Sequence, residues 1–186
     1  EREWLLPRIG RLAVLMLRHT RPEIATGICY GRTDLDVLES FQEEAEAALA
    51  QLPELLQIVS SPLLRCRRLA DFIAKHYALP VTFDQRLAEK DIGARDGVAW
   101  DQIPRVELDD WAANFFHARP HGGESVADLK QRVDEALDHH IANTGHTLIV
   151  THGGVIRAAF ANGTEAEHFQ TPIDFGQILH LPEQED

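Results

Sequence analysis

Two arginines and two histidines of this sequence have the chemistry to bind and transfer a phosphoryl group. Arg18 and His19 directly follow the apolar run Leu12–Leu17, whereas Arg65 and His152 each follow a later, shorter apolar run. A guanidinium group binds phosphate oxygens through two parallel hydrogen bonds. An imidazole acts as a nucleophile or carries a proton near neutral pH. These residue types predict a phosphoryl-transfer site, provided that the fold brings the three segments together.

Strands that alternate with helices must position these residues. Continuous apolar runs predict buried strands at 12–17, 57–60 and 147–151, and two further strands are expected at 80–83 and 176–181. Apolar residues at helical spacing predict helices from a capping box at Ser40 to Pro53, from Ser61-Pro62 onward, around 106–116, from Ser125 to Gly145 and over 155–161. The expected architecture is a three-layer α/β/α sandwich with a mostly parallel central sheet. Because no linker or internal repeat divides residues 1–186, we expect one domain.

The common position of the three segments favours a functional over a structural interpretation. Taken alone, a histidine at a strand end is most often structural, Arg65 is most often a solvated helix residue, and Gly153-Gly154 most often marks a tight turn. In an open α/β sheet, however, ligands bind beyond the carboxyl ends of the strands. All three segments follow strands at that edge, which independent structural residues would not be expected to do.

The composition narrows the classes of partner. The chain has 30 acidic and 18 basic side chains, a formal charge of -12, and this charge repels phosphate backbones and anionic membrane surfaces. The longest apolar run is far shorter than the roughly 20 residues that span a bilayer, and residues 1–17 lack the pattern of a secretory signal. We therefore expect a cytoplasmic protein with no nucleic-acid or membrane partner. A homodimer is one of the oligomeric states compatible with the sequence.

The spacing of metal-ligating residue types does not predict a metal site. Cys29 and Cys66 fit a reducing compartment and belong to no CxxC or Cys/His pattern. Pro120 lies between His117 and His121 and spoils the helical spacing that would pair them. We expect neither a metal nor another cofactor.

Five short motifs carry a resemblance to a known family. LxLRHT, SSPLxRC, LAEKDIG, GGES and VTHGG follow one another over residues 12–160. In their order and rough spacing they resemble the histidine phosphatase superfamily, the phosphoglycerate mutase-like proteins. The segment RHTRP…CYGRTD is similar to the bacterial α-ribazole phosphatase branch. The resemblance implies a metal-independent phosphatase that forms a phosphohistidine and acts on a small soluble phosphate ester such as α-ribazole 5′-phosphate.

The resemblance also implies a role for each motif residue. His19 matches the nucleophile, Glu89 matches the proton donor, and the phosphate-clamping residues are Arg18, Arg65 and His152. These roles suit the chemistry, because in-line attack needs an unprotonated imidazole nitrogen and fixed cations around the equatorial oxygens. The leaving alkoxide needs a proton, which a carboxyl group can supply and later take back from the hydrolytic water.

The sequence departs from the family pattern near the nucleophile. Thr20 stands where the family has glycine, so a β-branched side chain lies where backbone usually approaches phosphate. Thr20 or Tyr30 is expected to supply a hydroxyl to the substrate, and Gly153 is expected to line the phosphate site. Asp91 and Asp84 remain alternatives to the family's acid.

The segment 97–124 is expected to form a lid over the pocket. Aromatic faces and a cation suit a ribose or a heteroaromatic base, and the candidates for leaving-group recognition are Phe115, Phe116, His117, Arg119, His121 and Glu124. The alternative is that the two phenylalanines anchor this segment on the core.

Three other functions remain as alternatives. Asp34 begins a match to the haloacid dehalogenase-like signature, which requires magnesium, but no hydrophobic strand precedes it. Phosphoglycerate mutase-type transfer is less favoured than hydrolysis, because mutases are usually longer. A noncatalytic phosphoester-binding scaffold would explain Thr20, although a pure binder would not need a nucleophile and an acid together.

Overall fold

A five-stranded sheet positions the predicted site residues. The computed structural model describes residues 13–119, 121–141 and 145–182. The strands are β1 (Ala13–Arg18), β2 (Gln57–Ser60), β3 (Val81–Phe83), β4 (His146–Thr151) and β5 (Ile178–Leu181), in the spatial order β3-β2-β4-β1-β5. β5 runs antiparallel to β1, and the other strand pairs are parallel. The mostly parallel sheet is therefore confirmed.

Helices cover both faces of the sheet. They are α1 (Phe41–Leu49), α2 (Leu64–Tyr77), α3 (Arg105–Ala113), α4 (Val126–His140) and α5 (Gly153–Phe160). In β1, Met16 packs against α4 and α5, whereas Leu15 and Leu17 pack against α1 and α2, because successive side chains of a strand point to opposite faces. This alternation confirms the three-layer α/β/α architecture. The helices of the described ranges are too short or too polar to traverse a bilayer.

The strand register brings the three predicted segments to one edge of the sheet. Arg18 pairs with Thr151, and Ser60 pairs with Val150, at the carboxyl ends of three adjacent parallel strands. The residues that follow these ends therefore meet above the centre of the sheet, as the sequence predicts.

The first helix begins directly after Ser40, as expected, but its capping box and the expected start of the second helix are wrong. Ser40 already has helical backbone angles, φ -72° and ψ 0°, and its hydroxyl donates to Glu44 over 2.8 Å instead of capping a backbone N–H. The second helix begins at Leu64, because Asp34 from the loop after β1 accepts the Leu64 N–H over 2.6 Å. The Ser125 capping box is confirmed, with the Ser125 hydroxyl accepting the Asp128 N–H over 3.0 Å.

Candidate active site

His19 is buried at the end of β1, with 1% of its surface exposed. Its Nδ1 lies 2.7 Å from the carbonyl oxygen of Thr20. A carbonyl only accepts hydrogen bonds, so Nδ1 carries the proton and Nε2 keeps its lone pair. Burial, together with the charge of Arg65, lowers the pKa of His19 to about 3. His19 is therefore a neutral imidazole with a free nucleophilic nitrogen at physiological pH.

Arg18 and Arg65 place two positive charges beside His19. Arg65 is fully buried and donates from Nη1 to Thr33 O and from Nη2 to Gly31 O, both over 2.7 Å. Arg18 donates from Nη1 to Ile173 O over 2.7 Å. Among the described residues, the Nε atoms of both arginines are buried without a hydrogen-bond partner. A buried donor is costly to leave unpaired, so both Nε groups suit an anion held at this edge.

His152 lies beside His19 at the start of α5. The two imidazole ring centroids are 5.2 Å apart, and His152 is fully buried. Its Nε2 shares a 2.8 Å hydrogen bond with the Ser61 hydroxyl and lies 3.4 Å from Cys66 Sγ. Burial holds the pKa of His152 well below its usual range. The sequence predicts Ser61 at a helix start, but in the structure its hydroxyl orients His152.

Stability is expected to fall as the pH drops below 6.5, because His19 and His152 resist protonation in the fold. In unfolded chains both titrate near 6.5, whereas folded His19 stays neutral down to about 3. Each such group lowers the free energy of unfolding by about 1.4 kcal/mol per pH unit over this range. Urea denaturation at pH 7, 6 and 5 measures the slope. His19→Asn should reduce that slope, and an unchanged slope would contradict the neutral buried state.

Glu89 is the carboxyl side chain that the structure brings to this edge. Its Oε2 accepts the Gly154 N–H over 3.2 Å, and its Oε1 accepts the Lys90 N–H over 2.8 Å. A Cβ at Gly154 would overlap Oε1, so a side chain there would displace the Glu89 carboxyl group. The helix N-terminus thus holds Glu89 next to the phosphate-site residues.

The two alternative acids are engaged elsewhere. The Asp84 carboxylate is bonded to Arg86 over 2.7 Å and to His140 over 2.7 Å, and these bonds hold its pKa well below its usual range. The exposed Asp91 carboxylate accepts the Gly93 N–H over 2.9 Å. Neither aspartate contacts His19 or Glu89 in the described hydrogen bonds, which favours Glu89 as the acid.

Tyr30 and Gly153 lie beside the two arginines, and Thr20 follows His19 in the chain. Thr20 is fully buried, and in the described part of the chain its hydroxyl has no hydrogen-bond partner. The Tyr30 ring centroid lies 5.3 Å from Cζ of Arg65. A Cβ at Gly153 would lie 3.3 Å from Cζ of Arg18, so glycine keeps the space beside this guanidinium open.

The segment before β5 forms a wall of the site that the sequence analysis missed. Phe175 stacks on Arg18, with Cζ 4.0 Å from the ring centroid, and its ring lies 5.6 Å from that of His19. The Gly176 N–H donates to the carbonyls of Arg18 and His19, both over 3.1 Å. The antiparallel return of β5 along β1 creates these contacts. The strand predicted at 176–181 was the feature of the sequence that could have indicated these contacts, but its antiparallel direction was not predicted.

The structure does not bring the lid candidates into contact with His19. Phe115 and Phe116 pack against the core, with Phe115 5.4 Å from Phe169 between ring centroids. His117 and Arg119 are exposed, and Arg119 donates to the Gly123 carbonyl. This packing favours the anchoring role of the two phenylalanines. His121 is buried with Nδ1 accepting the Gly123 N–H over 2.8 Å.

The chain that carries this site matches a known protein family. The model of the histidine phosphatase superfamily (branch 1) matches residues 14–180, nearly the whole described structure. The chain belongs to the histidine phosphatase superfamily. The matched range includes the site residues on β1, β2, β4 and their following loops. In residues 13–119, 121–141 and 145–182, no group of three His, Cys, Asp or Glu side chains could hold a metal ion.

Named members of this superfamily include phosphatases and a mutase. A glucosyl-3-phosphoglycerate phosphatase of Mycolicibacterium vanbaalenii is 33% identical over 83% of this chain and 74% of its own. A metal-independent phosphoserine phosphatase of Arabidopsis thaliana is 28% identical over 92% of this chain and 77% of its own. The structure of a phosphoglycerate mutase from Thermus thermophilus superimposes with a TM-score of 0.73, at 26% identity over 90% of this chain and 91% of that one. Phosphatase chemistry is thus present among relatives of this superfamily member.

Proposed function

We propose that this chain is a metal-independent phosphomonoester hydrolase that acts through a phosphohistidine at His19. The observation that carries the proposal is the hydrogen bond from Nδ1 to Thr20 O, which leaves the Nε2 lone pair free beside the buried Arg65 and the half-buried Arg18. A buried, neutral imidazole needs no deprotonation before it attacks phosphorus.

The reaction then has two balanced steps. In the first, Nε2 of His19 forms a bond to phosphorus, the bond from phosphorus to the ester oxygen breaks, and the leaving oxygen takes the proton of the Glu89 carboxyl group. In the second, water attacks phosphorus, Glu89 takes back a proton from that water, and the P–N bond breaks. Inorganic phosphate leaves, and both residues return to their initial states.

The cations of the site stabilise charge in both steps. Arg18 and Arg65 offer their Nε groups to the phosphoryl oxygens, and the Thr20 hydroxyl offers a further hydrogen bond. These donors are fixed in advance, by Ile173 O for Arg18 and by two loop carbonyls for Arg65. Donors that need no reorganisation are the most effective at stabilising a developing charge. The neutral His152 adds a fixed dipole next to the nucleophile.

A small soluble phosphate ester is the proposed substrate. The resemblance of RHTRP…CYGRTD favours α-ribazole 5′-phosphate, and the two phosphatase relatives add phosphoserine and glucosyl-3-phosphoglycerate as candidates. A screen should measure kcat/KM for these three esters. Phosphoglycerate mutase activity is the second candidate, favoured by the similarity to the Thermus structure. Release of free phosphate, rather than transfer between hydroxyls of phosphoglycerate, would distinguish hydrolysis from it.

Turnover of p-nitrophenyl phosphate in EDTA tests the proposed chemistry. We expect full activity with EDTA, no gain with magnesium, and full activity for Asp34→Asn, whose side-chain oxygen can still accept the Leu64 N–H. Magnesium-dependent turnover that Asp34→Asn abolishes would instead support the aspartyl phosphatase alternative. Phosphate binding without turnover of any screened ester would support the noncatalytic scaffold.

A further inference from the structure

Arg132 on α4 uses every N–H of its guanidinium group around the segment that carries Glu89. Nη1 donates to Arg86 O over 2.6 Å and to Ala88 O over 2.7 Å. Nη2 donates to Glu89 O over 3.2 Å and to Glu124 Oε1 over 2.6 Å, and Nε donates to Glu124 Oε2 over 3.0 Å. A guanidinium group has five N–H donors in a fixed plane, so all five are satisfied here.

These bonds hold a piece of backbone that belongs to no sheet or α-helix. The four consecutive carbonyls of residues 86–89 each accept a side-chain donor: Arg132 serves three of them, and the Thr151 hydroxyl serves that of Leu87 over 2.7 Å. Arg32 donates to the last carbonyl as well. The path of this segment is therefore set by side chains that converge on it, above all by Arg132.

Glu124 binds both the Arg132 side chain and the backbone of Asp91, two residues after Glu89. The Arg132–Glu124 pair is bidentate, and the two side chains are only 16% and 15% exposed. Glu124 Oε1 also accepts the Asp91 N–H over 3.1 Å. A partly buried, bidentate pair is rigid. The Glu124 carboxylate therefore contacts Arg132 and the backbone that follows Glu89. This contact differs from the leaving-group recognition that the sequence predicts for Glu124.

We propose that Arg132, held by Glu124, is a positioning residue that aims the Glu89 carboxyl group at the leaving oxygen. This proposal rests on the proposed function, in which Glu89 is the acid. A small displacement of an acid impairs proton transfer, because that transfer requires hydrogen-bond distance. Arg132 acts through the backbone and touches neither the phosphate-site arginines nor His19 in the described contacts.

The dependence of the rate on the leaving group tests this role. Phenolate is a much stronger base than p-nitrophenolate, so phenyl phosphate needs the acid's proton more than p-nitrophenyl phosphate does. Arg132→Gln is expected to lower kcat/KM for phenyl phosphate about tenfold more than for p-nitrophenyl phosphate. The ratio of the two values is independent of how much enzyme is folded. If Arg132→Gln does not fold, Glu124→Gln provides the same comparison.

Two reference variants separate the possible failures. Lys130→Gln removes the 2.8 Å ion pair with Asp134 on the same helix and should leave the ratio unchanged. Glu89→Gln should shift the ratio more than Arg132→Gln. Equal losses for both substrates in Arg132→Gln and Glu124→Gln, with a shifted ratio in Glu89→Gln, would overturn the positioning role alone. An unshifted ratio in Glu89→Gln would overturn the acid assignment and the positioning role with it.

Discussion

His19→Ala is expected to lower kcat/KM for phosphomonoesters by more than about 10⁴-fold, because it removes the atom that receives the phosphoryl group. No other described side chain at this edge offers a free, neutral nitrogen with the same access, since Nε2 of His152 is bonded to the Ser61 hydroxyl. The measurement is steady-state hydrolysis of p-nitrophenyl phosphate.

The variant should still bind phosphate through Arg18 and Arg65. A direct measurement of inorganic phosphate binding to the variant checks that the site is intact. His76→Ala, an exposed histidine of α2, is the matched control and should keep wild-type activity. A His19→Ala enzyme with substantial turnover would remove His19 as the nucleophile.

Arg65→Met is expected to lower both activity and stability. Loss of a preorganised cation at the transferring group should reduce kcat/KM by about 10²–10³-fold. The carbonyls of Gly31 and Thr33 would lose their buried donor, which should cost about 2–5 kcal/mol of unfolding free energy. Enzyme kinetics and urea denaturation measure the two effects.

Arg68→Gln on the same helix is the control for Arg65→Met. Arg68 is exposed and paired with Asp36 over 3.2 Å, and exposed pairs contribute little stability. It should therefore resemble wild type in both measurements. An Arg65→Met enzyme as active as Arg68→Gln would show that Arg65 does not contact the transferring phosphoryl group.

The centre of the sheet was predictable because β1, β2 and β4 are largely buried on both faces. The runs of β1 and β4 are continuously apolar and do not alternate with polar residues. Such runs are typical of parallel strands between two helical layers. The helix start at Leu64 was not predictable from local pattern. At Leu64 the capping group comes from Asp34, thirty residues away in the chain. A local sequence pattern does not identify so distant a partner.

The residue types of the site were also predictable, but their geometry was not. Arg18, His19 and His152 directly follow strands, so topology alone places them together. The tautomer of His19 depends on the Thr20 carbonyl, and the wall at Phe175 depends on the direction of β5. Arg132 lies in a predicted helix, and no motif around it marks its contact with the Glu89 segment.

Trapping of the phosphorylated enzyme tests the central claim most directly. Wild-type protein mixed rapidly with p-nitrophenyl phosphate, quenched in alkaline denaturant and digested is expected to carry one phosphoryl group on the peptide that contains His19. The acid lability of that peptide would identify a phosphoramidate, and His19→Ala should show none. An alkali-stable phosphoryl group on a peptide without His19, or full turnover with no trapped phosphoenzyme in the first turnover, would contradict the phosphohistidine mechanism.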